Sequence, residues 1–342
     1  MRELLERLCA LNAVSSWEDE VRALLLAEVE PHADRLRVDA LGNLIAWKKG
    51  AGNIPAASFS SPPTWTRLGS MDPPDHRRRL SEIRHCGRHR PPGAPGQAGA
   101  GRAQAGAGGG GTQGLPSGQP GGGEVRPQAG RVLYRHRSQG PGRGEAQVAL
   151  GDTAAFDSDA GDFGAGLFHG KALGSRLGCA VLLTLLRDEL PMDCTFVFTA
   201  QKEVGARGAF GAAFSVTPEV ALVVDGADAA DLAGVPAHKQ GCSLGGGVVL
   251  PYMDQGAIAD RGLFEALRSL AESGGIPWQT MRSVDGRTDA AAIQRTKEGV
   301  RTAAVSIPVR YPRTPSGVTC LRDAEAALAL IRAFVGHLAE KE

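Results

Sequence analysis

The sequence predicts an α/β protein built on a sheet covered on both faces. Residues 194–199, 220–224 and 302–307 are runs too continuously apolar for strands with one wet face. Helical patterns over 179–186, 263–271 and 324–338 alternate with them, as helices covering such a sheet would. A chain of 342 residues is also long enough to bury a sizeable core.

The first fifty residues read as helix, helix and strand pair. Leu4, Leu5, Leu8 and Leu11 recur at helical spacing. Ser16 followed by Asp19 predicts a capping-box start for a second helix carrying Val21, Leu24, Leu25 and Val29. Residues 36–39 and 44–47 alternate as strands joined through Gly42.

Residues 55–147 differ from both flanks. Between Pro91 and Gly130 there are 15 Gly and 6 Pro in 40 positions, with only Leu115 and Val125 suited to a core. Such a segment buries too little apolar surface to offset a backbone ordering cost of about 1–2 kcal/mol per residue. The chain therefore divides into 1–54, a low-complexity segment expected to be disordered over 55–147, and 148–342. Six arginines lie between Arg77 and Arg90, beside His85 and His89, but no aromatic residue interleaves them. With a net charge of +1 for the chain, a solvated basic loop is favoured over a nucleic-acid surface.

No apolar run approaches the length of a membrane span, and Met1-Arg2-Glu3-Leu4-Leu5 does not begin a signal peptide. Cysteines at 9, 86, 179, 194, 242 and 320 form no C-x-x-C pair, which fits reduced, buried thiols and a cytoplasmic location.

Several motifs in the third stretch go further. They include Gly151-Asp152-Thr153-Ala154-Ala155-Phe156-Asp157-Ser158, Lys171-Ala172-Leu173, and Thr199-Ala200-Gln201 followed by Glu203-Val204-Gly205. Val223-Val224-Asp225-Gly226, Gly275-Ile276-Pro277-Trp278-Gln279-Thr280 and Asp289-Ala290-Ala291-Ala292-Ile293-Gln294 continue the set. Together with residues 1–50, these stretches closely resemble the tetrahedral (glutamyl or deblocking) aminopeptidase family. The resemblance implies a three-layer aminopeptidase-like domain with a central mixed sheet, interrupted by a smaller inserted domain that mediates homo-oligomer assembly. It also implies removal of N-terminal residues from peptide substrates by two divalent metals, commonly zinc or cobalt. One carboxylate bridges the metals, two histidines and two more carboxylates complete their shells, and a separate glutamate takes a proton from the attacking water.

Carried over position by position, most of those roles fail. Where the family has H-M-D-E-V-G, this chain has Thr64-Trp65-Thr66-Arg67-Leu68-Gly69, so Thr64 replaces the first histidine. Where it has A-L-D-D-R, Ala172-Leu173-Gly174-Ser175-Arg176 puts Gly174 in place of the bridging aspartate. In Gln201-Lys202-Glu203-Val204-Gly205 the ligand Glu203 is kept, but Lys202 stands where the general base belongs. Asp225 is kept, and Arg313 within Tyr311-Pro312-Arg313-Thr314-Pro315 replaces the last histidine. Glu203 and Asp225 are thus retained ligand types, expected to meet the cations Lys202 and Arg313 in ion pairs rather than metals. His169 and His238 are possible substitute ligands, with structural or surface roles the favoured alternative, and Cys179 and Cys194 read as core thiols.

The middle segment reads as a displaced reading frame. The last base of the Trp65 codon and the first two of the Thr66 codon spell GAC, an aspartate, and the neighbouring codons permit the rest of H-M-D-E-V-G. In another frame, Cys86 to Gln97 permits V-G-G-I-D-P-R-V-L-P-G-K, a run of the family's inserted domain. That domain is accordingly disrupted and a homo-oligomer is in doubt. Three functional readings stay open: a metalloaminopeptidase; an inactive relative that binds peptides or an intact paralogue; and the product of a damaged gene. No nucleic-acid or membrane partner is expected. Limited proteolysis should cut within 55–147 well before 150–342, since only the latter carries periodic apolar patterning. Equal digestion rates for the two parts, followed by mass spectrometry, would contradict this.

Overall fold

The computed structural model describes residues 1–52, 57–61, 98–101, 108–112, 132–135, 152–284 and 286–341. Two helices open the chain, α1 (Arg2–Ala10) and α2 (Asp19–Val29), followed by β1 (Arg35–Val38) and β2 (Leu44–Lys48). Further strands are β3 (Ala57–Ser61), β4 (Ala98–Gly101), β5 (Gly108–Thr112), β6 (Val132–Arg135), β7 (Ala154–Phe156), β8 (Gly161–Asp162) and β9 (Leu167–Gly170). Helix α3 (Leu173–Leu186), β10 (Cys194–Phe198), α4 (Arg207–Val216), β11 (Val220–Asp228), β12 (Val248–Leu250), α5 (Arg261–Ser273) and β13 (Trp278–Thr280) come next. The chain ends with α6 (Ala290–Ile293), β14 (Arg301–Arg310), β15 (Gly317–Cys320) and α7 (Leu321–Lys341).

The main sheet is mixed, in the order β1-β2-β10-β3-β11-β14-β15-β9-β8, with β12 pairing to β13 and β14. Its centre is parallel: β10 with β3, β3 with β11 and β11 with β14. The flanks are antiparallel, β1 on β2 and β2 on β10 at one side, β15 on β14 and β9 on β15 at the other.

Both faces of the centre are covered, as the apolar runs predicted. Along β11, Leu222 and Val224 enter a large cluster with Leu177, Phe196, Leu267, Leu330 and Phe334. Ala221 and Val223 point the other way, into a smaller cluster of Ala209, Ala213, Ala290, Ala291 and Ile293. Alternation along one strand thus separates three layers: α1, α2, α3, α5 and α7 on one side, the sheet, and α4 with α6 on the other. The second layer of helices meets the sheet mostly through alanine methyls. No described helix is long and apolar enough to cross a membrane.

Two expectations meet a different outcome. Ser16 does not cap α2. It sits at φ +76° in the turn between Val14 and Trp17, and the helix begins at Asp19 after Glu18. Within 55–147, where no structure was expected, four short strands are described. One of them, β3, lies inside the main sheet between β10 and β11. The other three form a second, antiparallel sheet with β7, in the order β6-β5-β4-β7. Their glycine-rich sequences, Ala-Gly-Ala-Gly in β4 and four glycines in β5, carry no apolar alternation from which a strand could be read. The remainder of that segment lies outside the described residues. The five described cysteines are free and buried as expected, and burial pushes the thiols of Cys9, Cys194 and Cys242 up to about 12.

Phe196, fully buried on β10, packs into the larger cluster. Truncating it removes transfer free energy and leaves a cavity, so Phe196→Ala should cost about 3–5 kcal/mol in urea unfolding. A loss below about 1 kcal/mol would mean that this cluster is not the core.

Candidate functional site

The site lies at the C-terminal ends of the parallel strands, where an open α/β sheet leaves its ligand-binding crevice. Lys202 and Glu203 occupy the turn after β10, Asp225 ends the apolar part of β11, and Arg313 follows β14. Gly174 lies in the first turn of α3. A Cβ at Gly226 would lie 2.5 Å from the Gly174 α carbon, so helix and strand touch backbone to backbone beside Asp225. A Cβ at Gly174 itself meets nothing within 4 Å among the described residues. Thr64 lies outside the described residues.

The turn carrying Lys202 is held from below by the first fifty residues. Asn43, fully buried, accepts from the Ala200 N–H (2.7 Å) and donates to Asp39 (2.6 Å) and the Gly208 carbonyl (3.0 Å). Glu18 accepts from the Gln201 N–H at 2.9 Å. The Lys202 carbonyl then accepts from the N–H groups of Gly205 (3.1 Å) and Ala206 (2.9 Å), closing the turn. Ala172, Gln201, Ala206 and Tyr311 all adopt φ between +50° and +80° around the site. Such backbone costs about 1–3 kcal/mol per residue and persists only where the surroundings over-determine it, most often at functional sites.

Lys202 and Asp225 form a salt bridge through Nζ and Oδ2, with side chains 14% and 3% exposed. The other Asp225 oxygen accepts from the Gly226 N–H at 2.8 Å. Burial alone would pull the Lys202 ammonium down, but Asp225, Glu203 and Asp289 outweigh it and raise its pKa above the ordinary lysine value. Glu203 is half-buried in the same turn. Asp289, just before α6, is fully buried. Its Oδ2 accepts from the Thr199 hydroxyl at 2.5 Å, and its Oδ1 has no hydrogen-bond partner among the described residues. Burial pushes Asp289 up to about 6, with Lys202 and Thr199 pulling back and Asp225 and Glu203 adding to the rise. Burial also raises Glu18, against the backbone N–H bonds it accepts.

Of the residues singled out in the sequence, the structure brings together Lys202, Glu203 and Asp225, with Gly174 against the strand that carries Asp225. Arg313 meets a different acid, Asp228 at the end of β11, at 3.9 Å. His238 is exposed. His169 contacts the Ser316 hydroxyl at 3.2 Å and the Phe163 ring at 5.8 Å. Among the described residues, no three His, Cys, Asp or Glu converge into a set that could hold a metal. The sequence reading missed Asp289, Thr199, Glu18 and Asn43 as contributors. Two of them, Thr199 and Asp289, lay in the motifs Thr199-Ala200-Gln201 and Asp289-Ala290-Ala291-Ala292-Ile293-Gln294, without a role assigned.

Residues 143–330 match the family model described as M42 glutamyl aminopeptidase. A protein of Acetivibrio thermocellus, provisionally named an aminopeptidase, is 29% identical over 97% of this chain and 97% of its own length. The solved aminopeptidase of the archaeon Desulfurococcus kamchatkensis superposes with a TM-score of 0.88 at 29% identity, covering 98% of this chain and 94% of that one. The TET1 peptidase of Pyrococcus horikoshii, which can assemble into a tetrahedron or a large octahedral shell, gives 0.80 at 25% identity, over 97% and 98% of the two chains.

The Asp289 environment makes stability depend on pH. Its folded-state pKa lies above that of an unfolded aspartate, so between about pH 4 and 6 the native state holds a proton that the unfolded chain has lost. Stability therefore falls as pH rises through this window, and the contribution is fully lost above it. Relative to Asp289→Asn, the wild type should lose about 1–3 kcal/mol between pH 4 and 6. Parallel denaturation profiles for the two proteins would contradict this.

Proposed function

The chain belongs to the M42 glutamyl aminopeptidase family, and on that premise we propose that it is a peptide-hydrolase relative whose reaction site is closed by an internal ion pair, so that it cleaves no peptide. The observation that carries this reading is the Lys202–Asp225 salt bridge. It places an ammonium at the family's base position and ties up one of the two retained ligand types. A general base must be free to accept a proton. The acids around Lys202 hold it in its charged form, the one that cannot.

The family uses divalent metals, and the residues present here do not fit them. Gly174 offers no oxygen to bridge two ions, and Arg313 brings a cation to the position of a histidine. Both Asp225 oxygens are engaged by donors of the chain itself. Two unit charges 4 Å apart interact with about 4 kcal/mol at an effective dielectric of 20, and a divalent ion doubles the repulsion that each cation exerts. Among the described residues Glu203 is the family's retained ligand type without such a hydrogen-bonded engagement, and one carboxylate is a poor metal site. The aminopeptidase fold, the strained turns and the strand-end acids support descent from a hydrolase. The substitutions at 174, 202 and 313 support a pseudoenzyme.

Purified protein incubated with zinc or cobalt, then dialysed, should retain less than stoichiometric metal and release no anilide from aminoacyl-anilides. One equivalent of retained metal, with hydrolysis abolished by a chelator, would overturn the reading.

A further inference from the structure

We infer that the Lys202 ammonium is a tethered counter-ion, standing in for metal charge and holding the buried acids Asp225 and Asp289, with the half-buried Glu203, at the strand ends. The role rests on the metal-free reading above. Asp225 and Asp289 are both buried, and Glu203 shares their field. In a low-dielectric crevice neighbouring carboxylates repel one another, and Asp225 and Asp289 have lost much of their hydration. A compensating cation must therefore come from a metal or from the chain.

Lys202 meets that need in position and in charge. Its Nζ bonds Asp225, and it is the cation that acts on Asp289 against burial. Arg313, the other cation introduced at a ligand position, is directed to Asp228 instead. The Lys202 backbone is fixed on both sides, by Glu18 and Asn43 before it and by the Gly205 and Ala206 N–H groups after it. The ammonium is thus delivered from a pre-formed turn rather than from a mobile surface chain. The Thr199 hydroxyl satisfies one oxygen of Asp289 but supplies no charge.

A buried ion pair broken on one side costs far more than one removed on both sides, because the survivor is left uncompensated. The test is a thermal-melting cycle on the full chain without added metal. Lys202→Met, which keeps the stem and removes the charge, should lower Tm by on the order of 5 °C or more. Lys202→Met with Asp225→Asn should recover at least half of that loss. A Lys202→Met protein as stable as wild type, or a double variant no more stable than the single one, overturns the role. If the single variant does not fold, the double variant decides: folded supports the role, unfolded overturns it. Zinc added to wild type should leave Tm unchanged. A rise of several degrees with zinc retained after dialysis overturns the metal-free reading instead, while a metal-free wild type indifferent to the loss of Lys202 overturns the counter-ion role alone.

Discussion

Strand β11 buries both of its faces, and that constraint organises the rest of the molecule. Leu222 and Val224 require a layer of helices on one side, and Ala221 and Val223 require another on the other side. Once both faces are covered, water reaches the centre of the sheet only at the strand ends. Polar chemistry is therefore confined to the residues that leave β10, β11 and β14. Lys202, Asp225 and Arg313 stand at such ends because the hydrophobic effect leaves them nowhere else to stand. The two layers are unequal. Leucine and phenylalanine side chains fill the α3 and α7 side, except where Gly174 and Gly226 let α3 touch β11, whereas alanines line most of the contact with α4 and α6. The start of α6 carries Asp289 into the electrostatic reach of Lys202.

Confinement to the strand ends makes charge balance a structural matter. Asp225 is 3% exposed and Asp289 is fully buried, so neither can rely on bulk water. Hydrogen bonds from the Gly226 N–H and the Thr199 hydroxyl satisfy oxygens without neutralising them. The backbone around the cluster is also fixed in sparsely populated conformations at Ala172, Gln201 and Tyr311, so the acids cannot move apart to relieve repulsion. A rigid scaffold of this kind imposes the same electrostatic demand whether the reaction proceeds or not.

The parts of this arrangement that a sequence discloses are those written locally. Strands β10, β11 and β14 are legible because burial on both faces demands uninterrupted apolar runs, α5 because it presents one apolar stripe, and α3 because it is apolar almost throughout. Helix α4 escaped notice for the converse reason: its sheet-facing residues are alanine and glycine, while Phe210 and Phe214 are exposed. Strand β3 escaped because its five residues hold one large apolar side chain. At the site, the family motifs point to Lys202, Glu203 and Asp225 together, and the structure joins them. Asp289 needed three dimensions. Nothing in Asp289-Ala290-Ala291-Ala292 says that this acid faces Lys202, since the close packing of α6 on the sheet creates that contact. Ser16 shows the opposite error, in which a local capping signal yielded to a left-handed turn that lets Glu18 reach the Gln201 N–H.

On the metal-free reading proposed above, Gly174 and Lys202 form one coupled change rather than two losses. Gly174 alone, in an otherwise intact site, would remove the carboxylate that bridges two ions and leave Asp225, Glu203 and Asp289 in a buried crevice with weakened cation binding. Lys202 alone would bring an ammonium against metals still held by a bridging acid. Each single change leaves charge uncompensated in one sign or the other, and the two together restore balance. Residues that share one buried network are non-additive for this reason. A side chain at 174 would meet open space among the described residues, and α3 packs on β11 through the Gly174–Gly226 backbone contact. The lysine reaches Asp225 from a turn already fixed by Glu18 and Asn43. On that reading, a hydrolase scaffold exchanges its metal charge for a covalently attached one while every layer of its fold stays in place.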